Sequence, residues 1–248
     1  MRWLMLCAAL LAFPALARES IQFESGTRQT VMVELFTSEG CSSCPPAEAY
    51  LNSFTGNERL WQQYIPVALH VDYWDYLGWK DRFAKAEYSQ RQREYARVTR
   101  ARTVFTPAFF VNGMNWRPGL VRKLPNPAIA EPGNLVVSVG GNKINARFES
   151  PGAGSRSYRL HIGLLGMGLH TQIRAGENAG RSSGHDFVLL KQAQLSHNGD
   201  RRWTGIVPVP DEVRATRYAL IAWVSLPGSP APIQATGGML PGTLSSEK

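Results

Sequence analysis

The sequence predicts an α/β protein: a mixed sheet flanked by helices, carrying an all-β, sandwich-like extension at its C-terminal end. Three observations predict it. Strand-like and helix-like stretches alternate up to about residue 133. A Cys-x-x-Cys pair, Cys41 and Cys44, sits where an apolar strand gives way to a helix. Beyond Glu131-Pro132-Gly133 the texture turns to short β-rich runs separated by Gly, Ser, Asn and Pro clusters.

The first residues, MRWLMLCAALLAFPALA, read as a secretory signal. Arg2 gives a positive start, Leu4 to Phe13 are apolar but too short to span a bilayer, and Ala15-Leu16-Ala17 offers the small-x-small pattern of a cleavage site after Ala17. Cleavage removes Cys7 and leaves two cysteines, 248 − 17 = 231 residues and an exported, periplasmic or secreted chain. The organisation expected is signal peptide 1–17, an α/β domain 18–133 and a β-rich region 134–248 packed on it.

QTVMVELF (29–36) reads as a central strand buried on both faces. PPAEAYLNSF (45–54) follows as a helix, its prolines in the first turn where no amide is missed. IPVALHVDY (65–73) is a second strand, and 80–100 is helical, with Phe83, Ala84, Tyr88, Tyr95 and Val98 as inward candidates. TPAFFVNGMNW (106–116) reads as a strand, an Asn112-Gly113 turn and a return strand. In the C-terminal region LVVSVGGNKINARFE is a hairpin. SYRLHIGLLGM, DFVLLKQAQLS, RRWTGIVPVP and YALIAWVSL add further strands.

The placement of the cysteines has a chemical meaning. A helix N-terminus presents unpaired amides and a partial positive charge, which favour a thiolate, the attacking species in disulfide exchange. Cys41, expected to be exposed at the helix start, would attack; Cys44, two residues on, would reach back and resolve the mixed disulfide. A structural zinc site needs about four ligands. No second cysteine pair exists and the five histidines show no tight spacing, so no metal or other cofactor is expected. The competing reading is a passive structural disulfide. Thr106-Pro107 bears on that choice. Proline cannot donate in a ladder and belongs at a strand's first residue. Given the order of elements, a cis bond is expected there, setting Thr106 and Pro107 beside the sulfurs.

These motifs resemble a known group. Residues 29 to about 130 are similar to a thioredoxin-like domain. VELFTSEGCSSCPPAE, HVDYWDYLGWKD, FTPAFFVNG and GENAGR more closely resemble an exported bacterial family catalogued as domain of unknown function 1223. The resemblance implies a thioredoxin fold with a C-terminal β elaboration, Cys41 as nucleophile, Cys44 as resolving cysteine and Pro107 as the cis-proline. It implies no substrate. Thioredoxins place tryptophan before the first cysteine, whereas Gly40 stands here.

Glu34, in mid-strand, is a candidate proton shuttle for Cys44, with pairing to a buried arginine as its alternative. Asp72, Tyr73, Trp74 and Trp79 are candidates to line a substrate groove. Formal net charge is +8, with basic residues and aromatics interleaved between Lys80 and Arg102; an exported protein rarely meets nucleic acid, so a solvated helix face is expected. GENAGR (176–181) reads as a polar loop with no assignable chemistry. The expected function is an exported thiol–disulfide oxidoreductase acting on protein or small-molecule thiols, with a redox partner protein among its possible contacts. The alternative is a non-catalytic binding module holding a structural disulfide.

Overall fold

A computed structural model describes residues 20–119, 124–126, 129–152, 156–195, 200–210 and 213–241. The expected signal peptide, 1–17, lies outside the described residues. In chain order the first strands are β1 (Ile21–Glu24), β2 (Val31–Thr37), β3 (Tyr64–His70), β4 (Ala108–Val111) and β5 (Met114–Trp116). Then come β6 (Asn134–Gly140), β7 (Lys143–Glu149), β8 (Arg159–Met167), β9 (Leu169–Gln172) and β10 (Ser182–His185). The last are β11 (Val188–Leu195), β12 (Arg202–Ile206), β13 (Arg217–Ser225) and β14 (Pro232–Met239). Two α-helices are described, α1 (Pro45–Asn52) and α2 (Ala86–Thr99).

The helix-flanked α/β architecture is therefore corrected. Strands hold 42% of the described residues and helices 14%, so the protein is mostly β with several sheets. The main sheet has eight strands in the order β14-β13-β8-β11-β3-β2-β4-β5. A four-stranded sheet, β1-β6-β7-β12, and the β9–β10 ribbon complete it. The correction has a physical cause. RLHIGLLGM and RYALIAWVS are buried almost end to end, β8 and β13 pairing along their whole length. Strands apolar on both faces cannot face water on one side. They extend the first sheet through β11, which runs parallel to β3 at Val188 and Ala68, instead of forming a separate sandwich.

One sheet thus draws strands from both sides of residue 133. Gln234 of β14 stitches that junction. Its Oε1 accepts from the Thr30 amide at 2.9 Å, and its Nε2 donates to the carbonyl of Gly133 at 2.8 Å. The four-stranded sheet packs through β6 on β13 and β14. In β7, Ile144, Ala146 and Phe148 point inward while Lys143, Asn145 and Glu149 face solvent or the rim, the period of a half-buried strand.

The parts that position the cysteines follow the sequence closely. Every residue of β2 is buried; β2 runs parallel to β3 and antiparallel to β4, with Glu34 opposite Val67 and Phe110. The hairpin β4–β5 turns at Asn112-Gly113, both at positive φ (46° and 85°), and the Asn112 Oδ1 accepts from the Met32 amide at 2.8 Å. Glycine is required at 113, because a Cβ would sit 2.4 Å from that of Ala231. The second helix starts later than the periodicity predicts. Lys85 is extended and its amide donates to the His70 carbonyl at 3.1 Å, which ties 81–85 to the end of β3. Tyr88 and Tyr95 face the core as expected; Phe83 is buried ahead of the helix and Val98 is exposed. Among the described residues no helix is long and apolar enough to cross a membrane.

Candidate functional site

β2 ends at Thr37, and the loop from Ser38 to Ser43 delivers Cys44 as the residue capping α1. The loop is held by amide bonds from Cys41 to the Ser38 carbonyl and from Cys44 to the Cys41 carbonyl, both 3.1 Å. Ala47 and Glu48 amides close on the Cys44 carbonyl, starting the helix at the prolines. Both cysteines are free thiols. The expected exposure of Cys41 is corrected: it is 1% accessible and Cys44 is fully buried.

The two sulfurs are nevertheless unequal. The Cys44 thiol hydrogen-bonds Cys41, and the Ser43 and Thr106 side chains add to it; together they outweigh burial and hold the Cys41 pKa at about 6. The Ser43 Oγ lies 3.3 Å from the Cys41 Sγ. Cys44 is pushed strongly upward, first by burial and then by its neighbour Cys41. The pair therefore holds one proton at neutral pH, on Cys44.

The Thr106–Pro107 bond is cis, as expected. The Thr106 Oγ1 accepts from the Trp74 Nε1 at 2.7 Å. Trp74 also packs on Gly40, where an added Cβ would meet the Trp74 Cβ at 3.3 Å. The indole beside the dithiol thus arrives from residue 74, and glycine at 40 makes room for it. The Tyr73 hydroxyl donates to Gln92, whose amide donates to the Phe105 carbonyl, fixing the approach to Thr106. Asp72 accepts from Ser89 at 2.5 Å and Trp79 donates to Glu39 at 2.8 Å. These four residues brace the loops around the dithiol. The groove itself, of about 450 Å³, is lined elsewhere, by Ser43, Tyr50, Phe105, Pro107, Phe109 and Trp116.

Glu34 is not brought to the thiols. Its Oε1 pairs with Arg91 Nε at 2.7 Å and its Oε2 accepts from the Tyr95 hydroxyl at 2.5 Å, all buried. The groups acting on Cys44 are Cys41, Thr37 and Thr106. The buried-arginine alternative describes the geometry, because a carboxylate in mid-sheet without a counter-charge would be costly.

GENAGR supplies what sequence reasoning missed. It lies between β9 and β10 and folds over the dithiol loop. The Asn178 Nδ2 donates to the carbonyls of Glu39 at 2.8 Å and Cys41 at 2.9 Å, and the Glu177 carboxylate accepts from the Ser42 amide at 3.2 Å. Asn178 is buried, so both carbonyls lose their donor without access to water if it is removed. Asn178→Ala should lower stability by about 1–3 kcal/mol in urea unfolding. It should also raise the pH at which Cys41 half-titrates, because the loop that aligns its donors is released.

Behind the loop lies a second cluster from distant segments. The His70 Nδ1 is 2.7 Å from Asp81, and His185 spans Glu39 at 3.2 Å and Glu48 at 3.1 Å. The Thr37 hydroxyl donates to Glu48 at 2.5 Å. Histidine spacing in the sequence held no trace of this, since His70 ends β3 and His185 ends β10, and only the fold brings their rings together.

A family described as a protein of unknown function, DUF1223, matches residues 32–225, most of the chain. The chain belongs to the DUF1223 family. No curated protein matches it. Two solved structures are similar to this DUF1223 member. A crystal structure of an Agrobacterium tumefaciens protein shares 20% identity at a TM-score of 0.62, over 90% of this chain and 97% of that one. HBP35 of Porphyromonas gingivalis shares 14% identity at a TM-score of 0.57, over 90% of this chain and 79% of that one. At such identities the likeness concerns the fold alone.

Proposed function

We propose that this DUF1223 protein is an exported thiol–disulfide oxidoreductase acting on protein or small-molecule thiols. One observation carries the reading: two free, buried thiols at the start of α1 with Thr106-Pro107 beside them, a setting that draws the Cys41 pKa down to about 6 and pushes that of Cys44 up. A passive disulfide has no use for that asymmetry. In the reducing direction, the Cys41 thiolate attacks a substrate disulfide, forming a mixed disulfide and expelling one substrate thiolate, which takes up a proton. Cys44 then gives up its proton and attacks the Cys41 sulfur. The second substrate thiol leaves, and two electrons have passed from the dithiol to the substrate. The opposite direction runs the same steps backward. The pairing of this dithiol with Thr106-Pro107 supports a relation to the thioredoxin-like superfamily at the level of the site.

The test is trapping. With Cys44→Ser, the mixed disulfide on Cys41 is not resolved and adducts should accumulate in the oxidising compartment of the exporting cell. Non-reducing gels should show them, sensitive to dithiothreitol and missing from the Cys41→Ser/Cys44→Ser variant. Absence of adducts with cellular proteins and of mixed disulfides with added small disulfides, while Cys41 still alkylates, would sink the proposal and leave the binding-module reading.

A further inference from the structure

We propose a divalent transition-metal site formed by the Glu48 carboxylate and one ring nitrogen each of His70 and His185. It is independent of the redox reading. Ligand atoms of the three residues, all buried, lie within 4.8 Å of one another. They come from three elements: the first turn of α1, the end of β3 and the end of β10.

The arrangement of His70 points to a ligand rather than to packing. Its Nδ1 is committed to Asp81 Oδ2, and Asp81 is itself fixed by the amides of Glu39 and Phe83, each at 2.9 Å. That leaves the Nε2 as the other ring nitrogen, and it is buried without a hydrogen-bond partner. A carboxylate fixing one imidazole nitrogen so that the other faces a metal is the usual second layer of a histidine–metal site. Glu48 is oriented in the same way. The Thr37 hydroxyl occupies Oε1, and Oε2 lies 3.1 Å from the His185 Nδ1. Ligand atoms on a tetrahedral shell of 2.0–2.2 Å radius stand about 3.4 Å apart, so this pair is already close to chelating distance.

Charge argues the same way. Glu39, Glu48 and Asp81 are three buried carboxylates, and His70 and His185 are the cluster's basic side chains. Even with both imidazoles protonated, one negative charge has no counter-charge within the cluster, a costly arrangement at this depth. A ligating imidazole is neutral, so with metal bound the dication takes over the task of offsetting two of the three carboxylate charges. Phe83 closes the site on one side, its ring 5.1 Å from that of His70 and 5.3 Å from that of His185. Two imidazoles and one carboxylate suit Zn²⁺ or its neighbours in the first transition row and do not suit Ca²⁺ or Mg²⁺.

The dithiol is the competing ligand, and the experiment separates the two. Chelator-stripped full-length chain carrying Cys41→Ser/Cys44→Ser is titrated with Co²⁺, then Zn²⁺. One equivalent of Co²⁺ should bind with visible ligand-field bands and no thiolate charge-transfer band, Zn²⁺ should displace it, and Zn²⁺ should raise the melting temperature. His70→Gln, checked by circular dichroism, should weaken binding at least about 100-fold, and Asp81→Asn about 10- to 100-fold. If His70→Gln does not fold, His185→Gln and Glu48→Gln carry the same expectation. No binding by the double-serine protein, or binding unchanged in a folded His70→Gln protein, overturns the proposal. So does metal uptake that appears only with Cys41 and Cys44 present.

Discussion

Brief iodoacetamide treatment of the reduced protein at pH 7 should place the label on Cys41 and almost none on Cys44. Both cysteines are covered, so exposure does not choose between them; ionisation does. The thiolate is the reacting form. Cys41, at about 6, is mostly ionised at pH 7, whereas Cys44 is held protonated by burial and by its neighbour. The labelling rate of Cys41 should rise through a midpoint near pH 6. Equal labelling, or a midpoint near the ordinary thiol value of 9.0, would remove the basis of the proposed mechanism.

The same shift links to stability of the reduced protein. An acid whose pKa falls on folding contributes stability that is full above its unfolded value and is lost as pH drops through its folded value. Between pH 9 and 6 the reduced wild type should therefore lose stability relative to Cys41→Ser. The ceiling is about 4 kcal/mol, three units at 1.36 kcal/mol each, lowered by solvent screening at the groove. Above pH 9 the stability of both proteins should fall as pH rises, because Cys44 ionises in the unfolded chain and is held protonated by burial in the folded one. Urea midpoints of reduced protein across this range measure both limbs.

Arg91→Ala should be among the most destabilising single substitutions in the chain, at about 3–5 kcal/mol. It leaves the Glu34 carboxylate in mid-sheet without its cation. Arg91 is buried, bonds Glu34 at 2.7 Å, and donates to the Tyr95 hydroxyl and the Pro230 carbonyl at 3.0 Å each. Its guanidinium also lies over the rings of Tyr95 and Trp223, so it ties α2 to β2 and β13 at one point. Replacing the pair together, Glu34→Met/Arg91→Met, should cost far less, because no buried charge is left alone. Guanidinium unfolding of the three proteins measures this. Glu34→Gln adds a second readout. The Cys41 labelling midpoint should not move, since Glu34 touches neither thiol; a shift would return Glu34 to the proton path.

What was legible in the sequence was local. Two cysteines at a strand–helix junction, prolines in the first helical turn, Thr106-Pro107 opening a strand and the Asn112-Gly113 turn are each written in fewer than about a dozen residues. Backbone chemistry at that range admits few alternatives. Glu34 was readable as a buried carboxylate, yet its partner was not, because Arg91 lies on a helix whose rotation only packing sets. Nor could the chain's local patterns reveal that β11 docks beside β3 and makes one mostly β sheet from both halves. That pairing follows from burying both faces of apolar strands more than a hundred residues away. It also carries the β9–β10 ribbon over the dithiol. Asn178 reaches the Cys41 carbonyl across 137 positions, and His185 reaches the Glu39 and Glu48 carboxylates. A lone asparagine in a polar loop looks the same whether it faces water or clamps a site. Only the tertiary structure removes the water that decides which.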